Sequence, residues 1–307
     1  MQNIVVTGAT SMIGIALVNE CVNNDIHVTA IIRKDSKKRK LLPESKLIDI
    51  IECDLGEIKN ASITLKQKPD AFYHLAWEGT GSNDRNNIEL QNRNIDHTLY
   101  ALRLAHGFNC KKFIGAGSQA EYGRVSGRIT PDMNVSPDNA YGVAKYAAGK
   151  FSSLLAEQLG IDFIWTRVFS VYGANDLQST MVMSCVDSLL RGEKPVLTKC
   201  EQKWDYLHCE DAAKAFFLLG TKGKNQVLYH IACGKTQPLV DYVKMIRNTI
   251  DPTLPLGIGE KPYAKGQVME LCPDISSLQK DTGFSPSVTF SEGIKKTIQW
   301  YKENILS

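Results

Sequence analysis

In the first half of the chain the apolar residues come in short, nearly continuous runs rich in Ile, Val and Phe, separated by longer stretches of mixed character. The runs predict strands over 3–7, 27–32, 47–52, 71–76, 112–116 and 162–169. Consecutive apolar positions, rather than alternating ones, suit strands covered on both faces. The mixed stretches predict helices over 13–23, 86–106 and 140–159, the last opened by the turn-and-cap sequence Ser136-Pro137-Asp138-Asn139. Such alternation predicts an α/β fold, a doubly wound parallel sheet built from right-handed crossovers. Beyond about residue 170 the rhythm breaks into a helix over 179–191, a helix over 210–219, a strand over 227–231 and a final helix from Ser291. Pro, Gly and Lys punctuate 251–266. This predicts a first domain over 1–170, to which 210–235 returns, and a smaller lobe formed mainly by 171–307.

Composition narrows the partners. With 307 residues and a net charge of +3, the chain can bury a sizeable core and offers no general attraction for nucleic acid or membrane. Its one dense basic run, Arg33 to Lys40, reads first as a solvated loop. Eight cysteines without CxxC spacing predict reduced, packed thiols and no metal site. No apolar run reaches 18 residues and no basic leader precedes the first strand, so the expectation is a cytoplasmic protein.

The first strand runs into Gly8-Ala9-Thr10-Ser11-Met12-Ile13-Gly14, followed by a helix. Glycines at a strand-to-helix turn let the backbone approach a pyrophosphate, whose charge then meets the helix N-terminus. The turn thus predicts a Rossmann-type dinucleotide site formed by Gly8, Thr10, Ser11, Met12, Ile13 and Gly14, with Ser11 standing where a further glycine is usual. The second strand ends in Ile32-Arg33-Lys34, with no acid before Asp35. A free ribose usually meets an acid there, whereas Arg33 suits a 2′-phosphate. Asp54 and Leu55, after the third strand, stand where an adenine edge is read, or where Asp54 merely caps a turn.

The segment 138–150, DNAYGVAKYAAGK, holds two overlapping Tyr-x-x-x-Lys spacings, Tyr141 with Lys145 and Tyr146 with Lys150. On a helix each pair shares one face, but the pairs point about 140° apart, so only one lines a given site. The motifs TGATSMIG, HLAW, GSQAEYG, YGVAK, RVFSVYG and WDYLHCED occur in an order that resembles the extended short-chain dehydrogenase/reductase family, whose members act on nucleotide-activated sugars. The likeness extends to the C-terminal TGFSPSVTFSEGIKKTIQWY. It implies that Ser118, Tyr141 (23 residues later) and Lys145 are the catalytic set, and leaves Tyr146 and Lys150 to packing or a dimer surface. A phenol needs a nearby cation to ionise near neutrality, a role for Lys145, which would also hold the nicotinamide ribose.

The resemblance implies further contacts. Leu75, Ala76, Trp77, Asn94 and Phe169 would lie near the cofactor, and Ser118, Gln119, Ser170, Lys203 and Trp204 near the substrate. Two departures stand out. Ser170 replaces a usual Asn, and Trp204 replaces an Arg that grips phosphate, leaving Lys203 or Arg191 to compensate. Dehydratases of the family carry an Asp-Glu pair where this chain has Gln119 and Ala120, which argues against a 4,6-dehydratase. The expected activity is NADPH-dependent reduction of a nucleotide-linked keto-sugar, CDP- or dTDP-linked, by a homodimer. An epimerase that retains NAD is the alternative, and a non-catalytic dinucleotide-binding regulator a third class.

Overall fold

The computed structural model describes residues 1–81 and 83–306. Seven strands form one sheet: β1 (Asn3–Thr7), β2 (His27–Ile32), β3 (Ile48–Glu52), β4 (Ala71–His74), β5 (Lys112–Ser118), β6 (Asp162–Val168) and β7 (Val227–Ile231). Their spatial order is β7-β6-β5-β4-β1-β2-β3, and every neighbouring pair is parallel. The chain winds outward from β1 to β3, then returns to lay β4 against the other side of β1. That reversal opens a crevice at the carboxyl ends of β1 and β4, where ligands of such sheets collect.

The runs of apolar residues are explained by cover on both faces. Ile4 and Val6 of β1 pack into one core with Leu17 and Val18 of helix α1 (Met12–Asn23). Val5 points the other way, into a core with residues of α2 (Ile88–Gly107) and α3 (Ala140–Leu159). Beyond β6, α4 (Met181–Leu190) begins the lobe and α5 (Cys209–Lys222) returns to the first face, where Phe216 and Leu219 join the core of α1. The chain then supplies β7, which forms one edge of the sheet.

The lobe has its own core. Val182 and Val186 of α4 pack with Val243 and Ile246 of α6 (Leu239–Ile250) and with Ile294 and Ile298 of the C-terminal α7 (Phe290–Asn304). Buried carboxylates tie it to the sheet. Asp211 in the first turn of α5 accepts hydrogen bonds from Ser287 N, Ser287 Oγ and Val288 N at 2.8–3.0 Å, just ahead of α7. Asp205 accepts from Cys233 N at 2.8 Å and Lys235 N at 3.0 Å, beyond β7. Both acids accept backbone N–H groups that no regular element would satisfy.

Three strand carboxyl ends differ from the sequence pattern, each at the crevice. β5 continues past 116 to Ser118, in register with Val168 of β6. β4 stops at His74, because Leu75 and Ala76 must pass over the backbone of Gly8. The run 162–169 breaks after Val168, and the next strand, Ser170–Tyr172, pairs instead with Tyr206–His208.

Candidate active site

Ser118 ends β5 and caps the short 3₁₀ turn Gln119–Tyr122. Its hydroxyl accepts from Ala120 N at 3.2 Å, and its own N–H donates to Glu121 Oε1 at 2.8 Å. Glu121 is fully buried, and its carboxylate is also met by Trp165 Nε1 at 3.0 Å and by Arg167 Nε at 2.7 Å. The Arg167 guanidinium in turn covers the Tyr122 ring at 4.2 Å. Burial pushes the Glu121 carboxyl upward from its ordinary range, and Arg167 opposes that shift. Trp165 reaches the carboxylate only because its neighbours are small. A Cβ at Gly115, Gly117 or Gly149 would run into its ring. Sequence reasoning missed this network, although Ser118-x-x-Glu121 carries the spacing of a capping box.

Tyr141 is brought to Ser118 by the first turn of α3. Asn139 caps that helix, accepting from Gly142 N at 2.9 Å, and a Cβ at Gly142 would clash with the Ala120 carbonyl. With glycine there, α3 lies directly against the Ser118 turn. Burial raises the Tyr141 phenol above its usual value; the nearby Ser118 hydroxyl and the charge of Arg85 partly offset this. Arg85, which the sequence did not single out, lies 4.8 Å from the Tyr141 ring, and its carbonyl accepts from Tyr141 N. Lys145 is buried and donates to Ala116 O at 2.6 Å, with its ammonium 3.7 Å from the Trp77 ring centroid. Burial lowers Lys145 to about 7, against the opposing pull of Glu121. The cation acting most directly on the phenol is thus Arg85, because Trp77 and Ala116 hold Lys145.

Trp77 meets the Tyr141 ring edge-on at 6.1 Å and donates to Gln91 Oε1 at 2.8 Å. Asn94 spends its amide on the same loop, accepting from Glu78 N at 2.9 Å and donating to Glu78 O and Leu90 O at 3.0 Å. Its visible work is to clip the 75–78 loop onto α2. Gln91, likewise unremarked in the sequence, donates to Gly79 O and Asp84 O.

The turn after β1 fits the pyrophosphate of a dinucleotide. Gly8 has φ +73°, and a Cβ there would lie 2.6 Å from Ala76 N. Gly14 meets the carbonyl of Gly8 where a Cβ would be. The Ser11 hydroxyl accepts from Gly14 N at 3.0 Å, so this serine caps α1 in place of a third glycine. Met12 and Ile13, the first residues of α1, present N–H groups that precede the helix's own bonding. Thr10, Ser11, Met12 and Ile13 are all half-buried around this turn. Behind it, Thr7 Oγ1 and His74 Nδ1 join at 2.8 Å, and burial lowers His74 to about 3.

Arg33 is exposed at the end of β2 and has no acidic partner among the described residues, whereas Lys34 pairs with Glu57 at 2.8 Å and Arg39 with Glu52 at 3.1 Å. Asp54 does not cap the turn after it. It accepts from Lys34 N at 3.2 Å, bridging the ends of β2 and β3. The Leu55 side chain is buried in the α2–α3 core.

Among the residues expected near the substrate, Gln119 is half-buried beside Ser118. Phe169 is buried, its ring 4.9 Å from His230. Ser170 and Trp204 meet each other, Trp204 Nε1 donating to Ser170 Oγ at 2.8 Å. Lys203 lies 3.6 Å from Glu270, and Arg191 pairs with Asp187 at 2.8 Å. Tyr146 and Lys150 line a cavity of about 520 Å³ over β6 and β7, whose lining includes Glu121, Trp165 and Arg167 but neither Ser118 nor Tyr141. Of the two Tyr-Lys pairs, only Tyr141 and Lys145 share a site with Ser118.

A model of the NAD dependent epimerase/dehydratase family matches residues 4–232, from β1 through β7. A putative UDP-glucose 4-epimerase of Methanocaldococcus jannaschii is 24% identical over 98% of this chain and 99% of its own length. The dTDP-glucose 4,6-dehydratase of Escherichia coli is 26% identical over 99% of this chain and 94% of its own length. Among solved structures, the UDP-N-acetylglucosamine 4-epimerase of Methanobrevibacter ruminantium M1 shares the fold at TM-score 0.87, with 24% identity over 99% of both chains. The chain therefore belongs to the NAD dependent epimerase/dehydratase family, oxidoreductase-type enzymes of the extended short-chain dehydrogenase/reductase superfamily.

Proposed function

We propose that the protein is an NADPH-dependent reductase of a nucleotide-linked keto-sugar. The observation that carries this reading is Arg33. The end of β2 offers an exposed guanidinium without an acidic partner among the described residues, where a free ribose would call for a carboxylate. Gly8, Met12, Ile13 and Gly14 would hold the pyrophosphate, with Thr10, Ser11, Asp54 and Leu55 around them and Leu75, Ala76, Trp77, Asn94 and Phe169 along the crevice. The nicotinamide, when bound, supplies the hydride for the carbonyl carbon.

The remaining chemistry belongs to the chain. Ser118 uses its Oγ lone pair on Ala120 N, which leaves its own proton to donate to the substrate oxygen as negative charge develops. Tyr141 delivers the proton that oxygen takes up. Its raised pKa keeps the phenol protonated near neutrality, the state a reductase must start from. Lys145 holds the cofactor ribose. Gln119 and Ala120 in place of an acidic pair leave no second acid-base couple for elimination at a neighbouring carbon. The lobe around Ser170, Lys203 and Trp204 would hold the substrate.

A specific observation favours a second reading. The relatives that match along nearly the whole chain include proteins named as 4-epimerases, and the same Ser118, Tyr141 and Lys145 would serve an enzyme that oxidises and re-reduces its sugar on a retained NAD. The two separate cleanly in the test tube. The reductase reading expects protein that purifies largely free of NAD and consumes one NADPH per keto-sugar reduced, with deuteride from nicotinamide C4 appearing in the product. Interconversion of two epimers with no net loss of NADPH would replace it with the epimerase.

Arg33→Ala is expected to weaken NADPH binding roughly tenfold or more, through loss of a charge-assisted bond to phosphate. NADH binding should barely change, so equal losses for both cofactors in titrations would take away the argument for NADPH.

We also propose a homodimer. Val143, Phe151 and Leu154 are 50%, 54% and 59% exposed on one face of α3, and Ile88 at the start of α2 is 68% exposed. Apolar residues so placed suit burial against a second copy. Light scattering at micromolar concentration should give twice the chain mass, and a single-chain mass would dismiss the dimer.

A further inference from the structure

The Tyr146–Lys150 pair has no part in the chemistry at Ser118, yet it shares a cavity with the buried ions that hold that serine. β7 carries the sheet beyond β6, and its Leu228, at the margin of the α2–α3 core, stays half-exposed. The cavity of about 520 Å³ lies there, between α3, the two strands and the segment 131–135. That volume is in the range of small-molecule sites. Ser153 of α3 donates to Gln226 Oε1 at 2.6 Å, just ahead of β7, which ties two of its walls together. Tyr146 lies five positions from Phe151, about 140° around α3, so the cavity stands beside the proposed dimer face.

The lining holds two acids, and each is already met. Glu121 is paired with Arg167 at 2.7 Å. Asp132 is exposed, and its bond with Thr130 holds the carboxyl below its usual range. The Lys150 ammonium, by contrast, lies 5.8 Å from the Tyr146 ring centroid and has no acidic partner among the described residues. A phenol and an ammonium one turn apart on α3, with the Arg167 guanidinium on β6, offer three donors to an oxyanion. Phe163 and Leu228 add apolar wall, which suits a ligand with a body larger than the anion itself.

We propose that this cavity is a second ligand site, taking a small oxyanion carried on an apolar body, a carboxylate or a phosphate monoester. Lys150 and Tyr146 bind its anionic end beside Arg167. Arg167 is also the partner that offsets the burial of Glu121, and Glu121 accepts the Ser118 N–H at 2.8 Å. An anion in the cavity shares the guanidinium with Glu121 and loosens the hold on Ser118. The site is therefore inhibitory, and its link to the crevice is a contiguous chain of Arg167, Glu121 and the Ser118 backbone.

Calorimetric titration of the full-length protein with phenyl phosphate, benzoate and inorganic phosphate tests the site. Wild type should bind at least one of the two organic anions more tightly than inorganic phosphate. Tighter phenyl phosphate assigns a phosphate monoester, and tighter benzoate a carboxylate. Lys150→Gln, at an exposed position that leaves the core untouched, should weaken that anion roughly tenfold, through loss of a charge-assisted bond. Hydrogen–deuterium exchange reads the link to Ser118 without any turnover. The preferred anion should speed exchange across residues 118–122 in wild type and leave Lys150→Gln unchanged. Equal binding by wild type and Lys150→Gln, or no preference for an organic anion, overturns the site. Exchange at 118–122 that ignores a bound anion overturns its inhibitory role. Neither measurement involves hydride transfer, so failure here leaves the proposed reduction standing, and failure of the reduction leaves the cavity site standing.

Discussion

The site is organised around one buried carboxylate. Taking Glu121 out of water is costly, and the cost is met only because Arg167, Trp165 and the Ser118 N–H all converge on its two oxygens. Each partner then constrains something else. Arg167 and Trp165 belong to β6, so the turn after β5 is locked to the neighbouring strand. The Trp165 ring needs glycine at 115, 117 and 149, which fixes how closely α3 lies on the sheet. Ser118 is held by the same acid through its backbone, leaving its hydroxyl to face the crevice. A serine whose main chain is fixed by a buried ion pair would be pre-positioned for the transition-state contact proposed for it.

The same burial sets the ionisation of the other two groups. Both Tyr141 and Lys145 lie in a low-dielectric setting that disfavours their charged forms, so the phenol shifts up and the ammonium shifts down to about 7. Glu121 acts on both, raising each, while Arg85 pulls the phenol back. The arrangement keeps a proton on Tyr141 and makes the charge of Lys145 responsive to whatever enters the crevice. Both properties suit a group that donates a proton as a hydride arrives.

Much of this was legible in the sequence, for local reasons. Strands apolar on consecutive positions suit a sheet covered on both faces, so the order of elements followed from the pattern. The glycine turn, Ser118 and the choice of Tyr141 over Tyr146 rested on motif order. What escaped depends on partners distant in the chain. Arg167 meets Glu121 across 46 positions and Trp204 meets Ser170 across 34, and no periodicity records such pairs. The ends of β4 and β5 were misplaced for a related reason: their limits are set by Gly8 and Glu121, neither of which belongs to the strand concerned. Asn94 stood out as a polar residue inside a helix, yet only the structure reveals that its amide is spent on the 75–78 loop.

The central claim is that Tyr141, held against Ser118 by the Glu121 network, is the proton donor, and that the overlapping Tyr146 belongs to another surface. Turnover of Tyr141→Phe and Tyr146→Phe, measured side by side on folded protein, tests it most directly. The account predicts a loss of at least about 10²-fold for Tyr141→Phe, the usual scale for removing a positioned acid, and near wild-type rates for Tyr146→Phe. A crippled Tyr146→Phe beside an active Tyr141→Phe would contradict it.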